Sequence, residues 1–208
     1  MNKNLTEAIV FDLGKVLVDF SVERACTQVA KAVGVSAPQV HSFLFDDGLE
    51  FRFEAGELSF LELHRLFEGR FNVSVASSVL KTAAADIFCP LEDSINLLKD
   101  LRKQYGRKKT FALLSNTNEI HWDHIEKNWN ISSCFDHTIL SFEVKAMKPD
   151  EKIYHHALQK IGVSPERCFF VDDLQANIDG AKRVGIDASL YESTEKLRAD
   201  LSHRGIFV

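Results

Sequence analysis

Cysteine is scarce in this sequence, and no two cysteines form a C-x-x-C pair. The four are scattered along the chain, at Cys26, Cys89, Cys134 and Cys168. This spacing argues against a disulfide framework and against a zinc site built from thiolates. Free thiols are typical of a reducing compartment, so we expect a cytoplasmic protein.

Long apolar runs and an excess of positive charge are missing as well. The first apolar segment, "AIVF" at residues 8–11, ends after four residues, which is too short for a signal-peptide core or a membrane span. The formal net charge is −5, which gives no basic stripe to neutralise the phosphates of a nucleic acid. We therefore expect no membrane partner and no nucleic-acid partner. A small anionic substrate is compatible with this charge, because the field inside one site need not follow the net charge.

The sequence has enough apolar residues to form a substantial core. Its 208 residues are 45% hydrophobic, and this length suits one large domain or one domain that carries an insertion. From about residue 109, short apolar runs such as "TFALL", "HTIL" and "CFFV" alternate with amphipathic stretches. This alternation is typical of βα units and predicts a parallel sheet. The first strand, "AIVF", lies far upstream of the others.

The segment between the first strand and the later βα units has helical spacing. Residues 20–88 carry apolar side chains three and four positions apart, without a convincing strand. A further helix over residues 90–104 leads back to the sheet. We therefore predict an α/β core domain made from residues 1–19 and 89–208, with an all-helical cap domain, residues 20–88, inserted after the first strand.

Polar residues follow each of the four predicted strands. In an open parallel sheet the ligand lies beyond the carboxyl ends of the strands, so these positions are candidates for function. The residues are Asp12 after "AIVF", Ser115, Asn116 and Thr117 after "TFALL", Ser141, Glu143 and Lys148 after "HTIL", and Asp172 and Asp173 after "CFFV". Four polar strand ends together indicate one site rather than four separate helix caps.

The charges of these residues indicate phosphoryl chemistry. A carboxylate repels a phosphate dianion unless a cation screens it, and Asp12 and Asp173 offer the oxygen ligands that Mg²⁺ prefers. With the metal bound, Asp12 can attack phosphorus and form an aspartyl-phosphate, which water then hydrolyses. Lys148 would hold Asp12 and the phosphoryl group together. The Ser115 hydroxyl and the backbone N–H groups after it, beginning at Asn116, would bind phosphoryl oxygens.

Four motifs occur in an order and spacing that resemble one known superfamily. They are "FDLGKVLVDF", "LLSNTN", "KPDEKIY" and "FFVDDLQANIDGAK", and together they span nearly the whole chain. The combination resembles the haloacid dehalogenase superfamily, and within it the bacterial sugar-phosphate phosphatases of the α-D-glucose-1-phosphate phosphatase group. The resemblance implies a Rossmann-like three-layer core with a helical cap, and Mg²⁺-dependent hydrolysis of the phosphate monoester of a small metabolite.

The resemblance also implies a role for each matching position. The expected catalytic and phosphate-binding residues are Asp12, Ser115, Asn116 and Lys148. The expected metal ligands are Asp12, Asp173 and the main-chain carbonyl of Gly14. Beside these groups, Asp172 could orient Lys148, bind the metal through water, or only shape the local electric field, and Asn177 is expected to support the site from behind the ligands.

Gly14 departs from the pattern of the superfamily. Its typical phosphatases carry an aspartate two residues after the nucleophile, which protonates the leaving oxygen and later activates water. Such acid–base help is worth about 10²–10⁴ in rate. Three explanations are open: the cap supplies the acid, the leaving group needs little help, or the enzyme is slow. The candidates in the cap are Glu54, Glu57, His41 and His64. We favour an anomeric sugar phosphate, whose oxygen leaves readily, with some help from the cap.

Two other features of the sequence can be explained either by a structural role or by a functional one. His121 and His124 have the helical spacing of a metal-binding pair, but their amphipathic surroundings favour an exposed helix face. The stretch "FDDGLEFRFEAGE" contains two glycines and mixed charge, which predicts a loop facing the site. In that loop Phe51 or Phe53 could stack on a sugar, and Arg52 could bind an anion, as could Arg24 from outside the loop.

Two other functions could use the same residues. A 2-haloacid dehalogenase would use Asp12 to displace halide without a metal, although Asp172 and Asp173 would repel its carboxylate substrate. A catalytically weak phosphate-binding regulatory protein would be consistent with Gly14. In each case the expected partner is a small molecule, and we expect a monomer or a homodimer.

Overall fold

The computed structural model describes residues 6–208. Residues 1–5, at the start of the predicted core segment, lie outside the described residues. The described strands are β1 (Ala8–Phe11), β2 (Val18–Phe20), β3 (Phe88–Pro90), β4 (Thr110–Ser115), β5 (His137–Leu140), β6 (Cys168–Asp172) and β7 (Asp187–Leu190). Five of them form one parallel sheet in the order β5-β4-β1-β6-β7, and β2 pairs antiparallel with β3.

Helices connect these strands. They are α1 (Val22–Val33), α2 (Ala37–His41), α3 (Leu49–Glu54), α4 (Phe60–Phe71), α5 (Ser77–Ala85), α6 (Glu92–Tyr105), α7 (Glu119–Trp129), α8 (Ser141–Val144), α9 (Glu151–Ile161), α10 (Gln175–Arg183) and α11 (Thr194–His203). A π-helical turn (Ser42–Asp46) follows α2, and two short 3-10 turns (Ile131–Cys134 and Pro165–Arg167) precede β5 and β6.

The central sheet is buried on both faces. In β1, Ile9 and Phe11 pack into one apolar layer, while Ala8 and Val10 pack into the other, as the alternation of side chains along a strand requires. The first layer includes apolar side chains of α6, α7 and α11, and the second includes those of α9 and α10. Helices, sheet and helices make three layers, so the predicted Rossmann-like α/β core is confirmed.

Residues 20–88, which we call the helical insertion, enclose an apolar core of their own. Its largest members are the aromatic side chains Phe43, Phe53, Phe60 and Phe67. α4 begins at a capping box, in which Ser59 and Glu62 satisfy each other's backbone N–H groups. The insertion returns to the sheet through the β2–β3 ribbon, where Phe20 is paired with Phe88.

Three details differ from the sequence-based expectations. The ribbon strands, each three residues long, were not predicted. Pro90 ends β3 instead of opening a helix, and α6 runs over Glu92–Tyr105. The loop expected over residues 45–57 is wrong, because much of this stretch is helical and α3 occupies its centre. The boundaries of the two predicted domains stay a prediction.

The length of a helix decides whether it can span a membrane. α6, with 14 residues, is the longest helix described between residues 6 and 208. Within that range, no helix is both long enough and apolar enough to cross a bilayer.

Candidate active site

The carboxyl ends of the parallel strands bring the predicted site residues to one edge of the sheet. β1 is paired in register with β4 on one side and β6 on the other. Asp12 directly follows β1, and its backbone N–H donates to the Val171 carbonyl at 2.9 Å. Ser115 is the last residue of β4 and Asp172 the last residue of β6. Asp12 therefore lies between the ends of its two neighbouring strands.

A buried ion triad lies at the centre of this edge. Lys148 Nζ is 2.6 Å from Asp12 Oδ1 and 2.6 Å from Asp172 Oδ2. Burial alone would lower the pKa of Lys148, but the two carboxylates outweigh burial and raise this pKa, so the side chain stays an ammonium ion. Burial raises the pKa of Asp12, and the charge of Lys148 opposes that effect. The net pKa of Asp12 is raised to about 7, and Lys148 favours the ionised form of this buried side chain.

Asp172 is held by several donors. Asn177 Nδ2 lies 2.9 Å from Asp172 Oδ1 and 3.1 Å from Oδ2, and the backbone N–H of Leu174 donates to Oδ1 at 2.8 Å. With Lys148 on Oδ2, both carboxylate oxygens are engaged. Tyr154 donates its hydroxyl to the Asn177 carbonyl at 2.8 Å and so anchors the start of α10. Asn177 therefore contacts Asp172, and Asp172 in turn contacts Lys148.

The loop that carries Lys148 is fixed by Asn116. Asn116 Nδ2 donates to the Lys148 carbonyl at 2.9 Å, and the Lys148 N–H donates to Asn116 Oδ1 at 2.8 Å. These two hydrogen bonds occupy the side-chain amide of Asn116. The predicted contact of Asn116 with phosphate therefore depends on the backbone N–H of Asn116. Ser115 is buried beside it and lines the same site.

Three carboxylates could hold a metal ion. Oxygen atoms of Asp12, Asp172 and Asp173 all lie within 4.8 Å of one another. Burial, and then the charge of Asp172, raises the pKa of Asp173, so a cation would relieve repulsion here. Because the oxygens of Asp172 are already engaged, Asp12 and Asp173 are the two side chains best placed as ligands. The oxygen donors fit Mg²⁺, which prefers carboxylates and water.

A cavity of about 220 Å³ opens between this edge and the helical insertion. At the sheet end it is lined by Gly14, Ser115, Asn116 and Asn118. Its walls are mostly apolar, and they include Phe20, Phe43, Phe53, Phe60 and Phe67. Glu50, Glu54 and His121 are the ionisable side chains among the described lining residues, which include no lysine or arginine.

Of the predicted substrate contacts, Phe53 lines this cavity, but Phe51, Arg52 and Arg24 do not. Phe51 is 61% exposed, Arg52 lies 3.5 Å from Glu57, and Arg24 lies 3.2 Å from Asp86. For Phe51 and Arg52 the physical reason is that α3 is a helix and not a loop, whereas Arg24 lies on α1 and pairs with Asp86. Its cavity face consists of residues three and four apart, and these are Glu50, Phe53 and Glu54. The sequence contains this helical spacing, but the prediction of a loop over residues 45–57 did not take it into account.

His121 also differs from the expectation. It lines the cavity instead of lying on an exposed helix face, because the helical insertion packs over α7. Its Nδ1 lies 2.9 Å from Asn118 Nδ2, which makes Nδ1 the acceptor. Burial lowers the pKa of His121 to about 4, so the ring is neutral at physiological pH. His121 and His124 are not part of the described carboxylate cluster.

Of the four candidates for the missing acid, only Glu54 lines the cavity. Glu57 and His41 are exposed, and Glu57 lies beside Arg52. His64 is buried, but its Nε2 lies 2.8 Å from the Val75 carbonyl, inside the helical insertion.

Known proteins resemble this chain in sequence and fold over nearly its whole length. A D-ribitol-5-phosphate phosphatase of Bacteroides thetaiotaomicron is 25% identical over 201 residues, which cover 93% of this chain and 96% of that protein. A haloacid dehalogenase family enzyme from the same organism, solved in complex with magnesium and inorganic phosphate, is 26% identical with a TM-score of 0.79. The alignment covers 90% of this chain and 94% of that one.

A shorter match extends over part of a plant enzyme. Flavin mononucleotide hydrolase 1 of Arabidopsis thaliana is 32% identical over 89 residues, which are 43% of this chain but only 36% of that protein. The sequence model of the haloacid dehalogenase-like hydrolases matches residues 6–185 of this chain. This match covers most of the chain and includes all four motifs. The chain therefore belongs to the haloacid dehalogenase-like hydrolase family.

Proposed function

We propose that this hydrolase cleaves phosphate monoesters through a covalent phosphoryl group on Asp12. The observation that carries the proposal is the position of Lys148 Nζ, 2.6 Å from both Asp12 and Asp172. An ammonium ion at this point lowers the repulsion between the nucleophilic carboxylate and a phosphate dianion. The same side chain remains beside the phosphoryl group after transfer.

In the proposed reaction, an oxygen of Asp12 attacks phosphorus and the bond from phosphorus to the ester oxygen breaks. The aspartyl-phosphate is then hydrolysed by water, which releases inorganic phosphate and regenerates Asp12. The Ser115 hydroxyl and the backbone N–H of Asn116 bind phosphoryl oxygens. Mg²⁺, held by Asp12, Asp173 and the main-chain carbonyl of Gly14, supplies further charge neutralisation when bound.

The proposed substrate is a small phosphorylated metabolite, with a sugar phosphate as the favoured class. The cavity next to Ser115 has room for one small leaving group. Its apolar walls suit the carbon–hydrogen faces of a sugar, and Glu50, Glu54 and Asn118 offer polar groups for hydroxyls. Since no lysine or arginine is among the described lining residues, a second anionic group on the leaving alcohol would find no counter-ion. The full-length relative named for a sugar-alcohol phosphate supports the same class.

Two other functions compete with this proposal. A 2-haloacid dehalogenase would have to bring a carboxylate substrate toward the cluster of Asp12, Asp172 and Asp173, whose charge opposes it. A phosphate-binding regulatory protein would not need the nucleophile to be placed against Lys148. Activity that survives EDTA would favour the dehalogenase. Tight binding of a phosphate mimic without turnover would favour the regulatory protein.

The test is phosphate release from a panel of phosphorylated metabolites, weighted toward sugar 1-phosphates and sugar phosphates of primary alcohols. Each is measured with Mg²⁺ and with EDTA, for the wild type and for Asp12→Asn. Release that needs both Mg²⁺ and Asp12 is expected. Absence of release from every substrate by folded, Mg²⁺-loaded protein would overturn the proposal.

The proposal also includes a cellular compartment and an oligomeric state. All four cysteines are free thiols, which supports a reducing compartment such as the cytoplasm. A monomer or a homodimer is proposed, and light scattering during size-exclusion chromatography distinguishes the two.

A further inference from the structure

An alcohol that leaves from phosphorus must take up a proton, and residue 14 cannot supply it. Gly14 lines the cavity beside the nucleophile and has no side chain. The ring of Phe20 fills the adjacent space: a Cβ built on Gly14 would lie 3.0 Å from Phe20 Cε1. A side chain that acts as the acid therefore has to come from another part of the cavity wall.

The cavity offers three ionisable side chains, and two of them are already engaged. Asn118 Nδ2 donates to Glu50 Oε1 at 3.1 Å and lies 2.9 Å from His121 Nδ1. Among the described residues, none hydrogen-bonds to the carboxyl group of Glu54. Glu54 lines the same cavity as Gly14 and Ser115, at the end of the cavity that meets the sheet edge. The charges of Lys148 and Asp12 also act on its carboxyl group.

The backbone of Glu54 is fixed to the loops that form the site. Its carbonyl accepts a hydrogen bond from Ser141 Oγ at 2.6 Å, and the same Oγ accepts one from the Thr117 N–H at 2.9 Å. Thr117 lies two residues after Ser115, so one hydroxyl links the end of α3 to the phosphate-binding loop. This contact joins the helical insertion directly to the edge of the sheet.

A close backbone contact fixes the same helix end. Gly56, just beyond α3, has φ 67°, and a Cβ at this position would lie 2.2 Å from the Phe142 carbonyl oxygen. Only glycine permits this approach and this backbone conformation without strain. The end of α3 therefore rests on α8, and Glu54 is held in place over the site.

We propose that Glu54 is the general acid and base of this enzyme and takes the role that Gly14 cannot fill; this inference rests on the proposed phosphatase function. In the first step Asp12 attacks phosphorus, the ester bond breaks, and the proton of the Glu54 carboxyl group passes to the leaving oxygen. In the second step the Glu54 carboxylate takes a proton from the water that attacks the aspartyl-phosphate. Inorganic phosphate leaves, Asp12 is regenerated, and Glu54 is again protonated.

The surroundings of Glu54 suit an acid that must be protonated at neutral pH. Burial raises the pKa of Glu54 to about 8, with a further contribution from Glu50 on the same helix. The charge of Asp12 raises it as well, while Lys148 lowers it. Burial also raises the pKa of Glu50 to about 7.

The test compares two leaving groups in Glu54→Gln. p-Nitrophenolate leaves without a proton, whereas the best alkyl phosphate of the substrate panel releases an alcohol that needs one. We expect kcat/KM for the alkyl phosphate to fall about 10²–10⁴-fold, and kcat/KM for p-nitrophenyl phosphate to fall less than tenfold. Because Glu54→Gln also lacks the base for the second step, p-nitrophenol should appear as a burst stoichiometric with enzyme. Glu57→Gln, three residues along and exposed, is the matched control and should behave as the wild type.

The outcomes separate this inference from the proposed function. Equal losses on both substrates, with no burst, would overturn the role of Glu54 while leaving the phosphatase function intact. No turnover of any phosphate ester by the wild type would overturn both. Should Glu54→Gln fold poorly, Glu54→Asp keeps the acid on a shorter side chain, and its loss should again be larger on the alkyl phosphate. Equal losses of kcat/KM on the alkyl phosphate and on p-nitrophenyl phosphate in Glu54→Asp would contradict the proposal.

Discussion

Lys148 Nζ lies 2.6 Å from Asp172 Oδ2, and both side chains are almost completely buried. Asp172 is in turn held by Asn177 and by the backbone N–H of Leu174. Lys148 therefore depends on a chain of contacts that begins on α10, outside the reacting atoms. A positively charged side chain in such a site is rigid, and its position relative to Asp12 is set before any substrate binds.

Asp172→Asn and Asp173→Asn should differ although the residues are adjacent. In the account given above Asp173 is a metal ligand, whereas Asp172 orients Lys148. Asp173→Asn should abolish measurable Mg²⁺ binding in calorimetry. Asp172→Asn should weaken Mg²⁺ binding by about 10-fold and lower kcat by about 10–100-fold. The reverse order of Mg²⁺ affinities would contradict the assignment.

Asn116→Ala should loosen the Lys148 loop. The change removes two hydrogen bonds between the Asn116 amide and the Lys148 backbone, each worth roughly 0.5–1.5 kcal/mol. We expect the free energy of unfolding to fall by roughly 1–3 kcal/mol and kcat to fall more than KM rises. Asn128→Ala is the control, because its side chain donates to the His124 carbonyl on an exposed part of α7 and has no other hydrogen-bond partner among residues 6–208. An equal effect of the two variants on kcat would argue against this role of Asn116.

The stability of the protein should fall as the pH rises through the neutral range. The folded state raises the pKa of Glu54 from 4.5 to about 8 and that of Glu50 from 4.5 to about 7. At these two carboxyl groups the folded protein binds more protons than the unfolded chain between pH 4.5 and about 8, so their contribution to stability falls as the pH rises through this window. Thermal unfolding of the wild type should show this slope, and Glu54→Gln should flatten it. A variant with an unchanged slope would show that Glu54 does not titrate in this range.

Gly14→Asp should partly restore acid catalysis to Glu54→Gln. The new side chain would stand beside the nucleophile, although the Phe20 ring must move because the Cβ would lie 3.0 Å from its Cε1. We expect kcat/KM for the alkyl phosphate to recover at least about 10-fold over Glu54→Gln alone. Gly14→Asn, which has the same shape without the acid, should give no recovery. Similar recovery in both would indicate an effect of shape and not of proton transfer.

The sequence predicted much of the fold because the signals were local. Each of the four motifs begins or follows a short apolar run, and carboxyl ends of parallel strands share one edge. From the sequence alone, this rule predicts that Asp12, Ser115 and Asp172 lie close together. The three-layer core is confirmed by the structure and by its relatives.

The cavity wall could not be predicted in the same way, because it depends on contacts distant in sequence. Gly48 and Gly56 suggested a loop, but they stand at the two ends of α3 with φ 70° and 67° and punctuate a short helix. This error hid the cavity face that includes Glu54. His121 belongs to an amphipathic helix, and its burial depends on the helical insertion packing over α7.

The most direct test of the central claim is to find the covalent phosphoryl group. Wild-type enzyme turning over p-nitrophenyl phosphate with Mg²⁺ is quenched in acid, digested and mapped by mass spectrometry. The account predicts one phosphorylated peptide, modified at Asp12, which is absent with EDTA and absent from Asp12→Asn. Phosphate release that continues in Asp12→Asn, or a phosphoryl group on another residue, would contradict it.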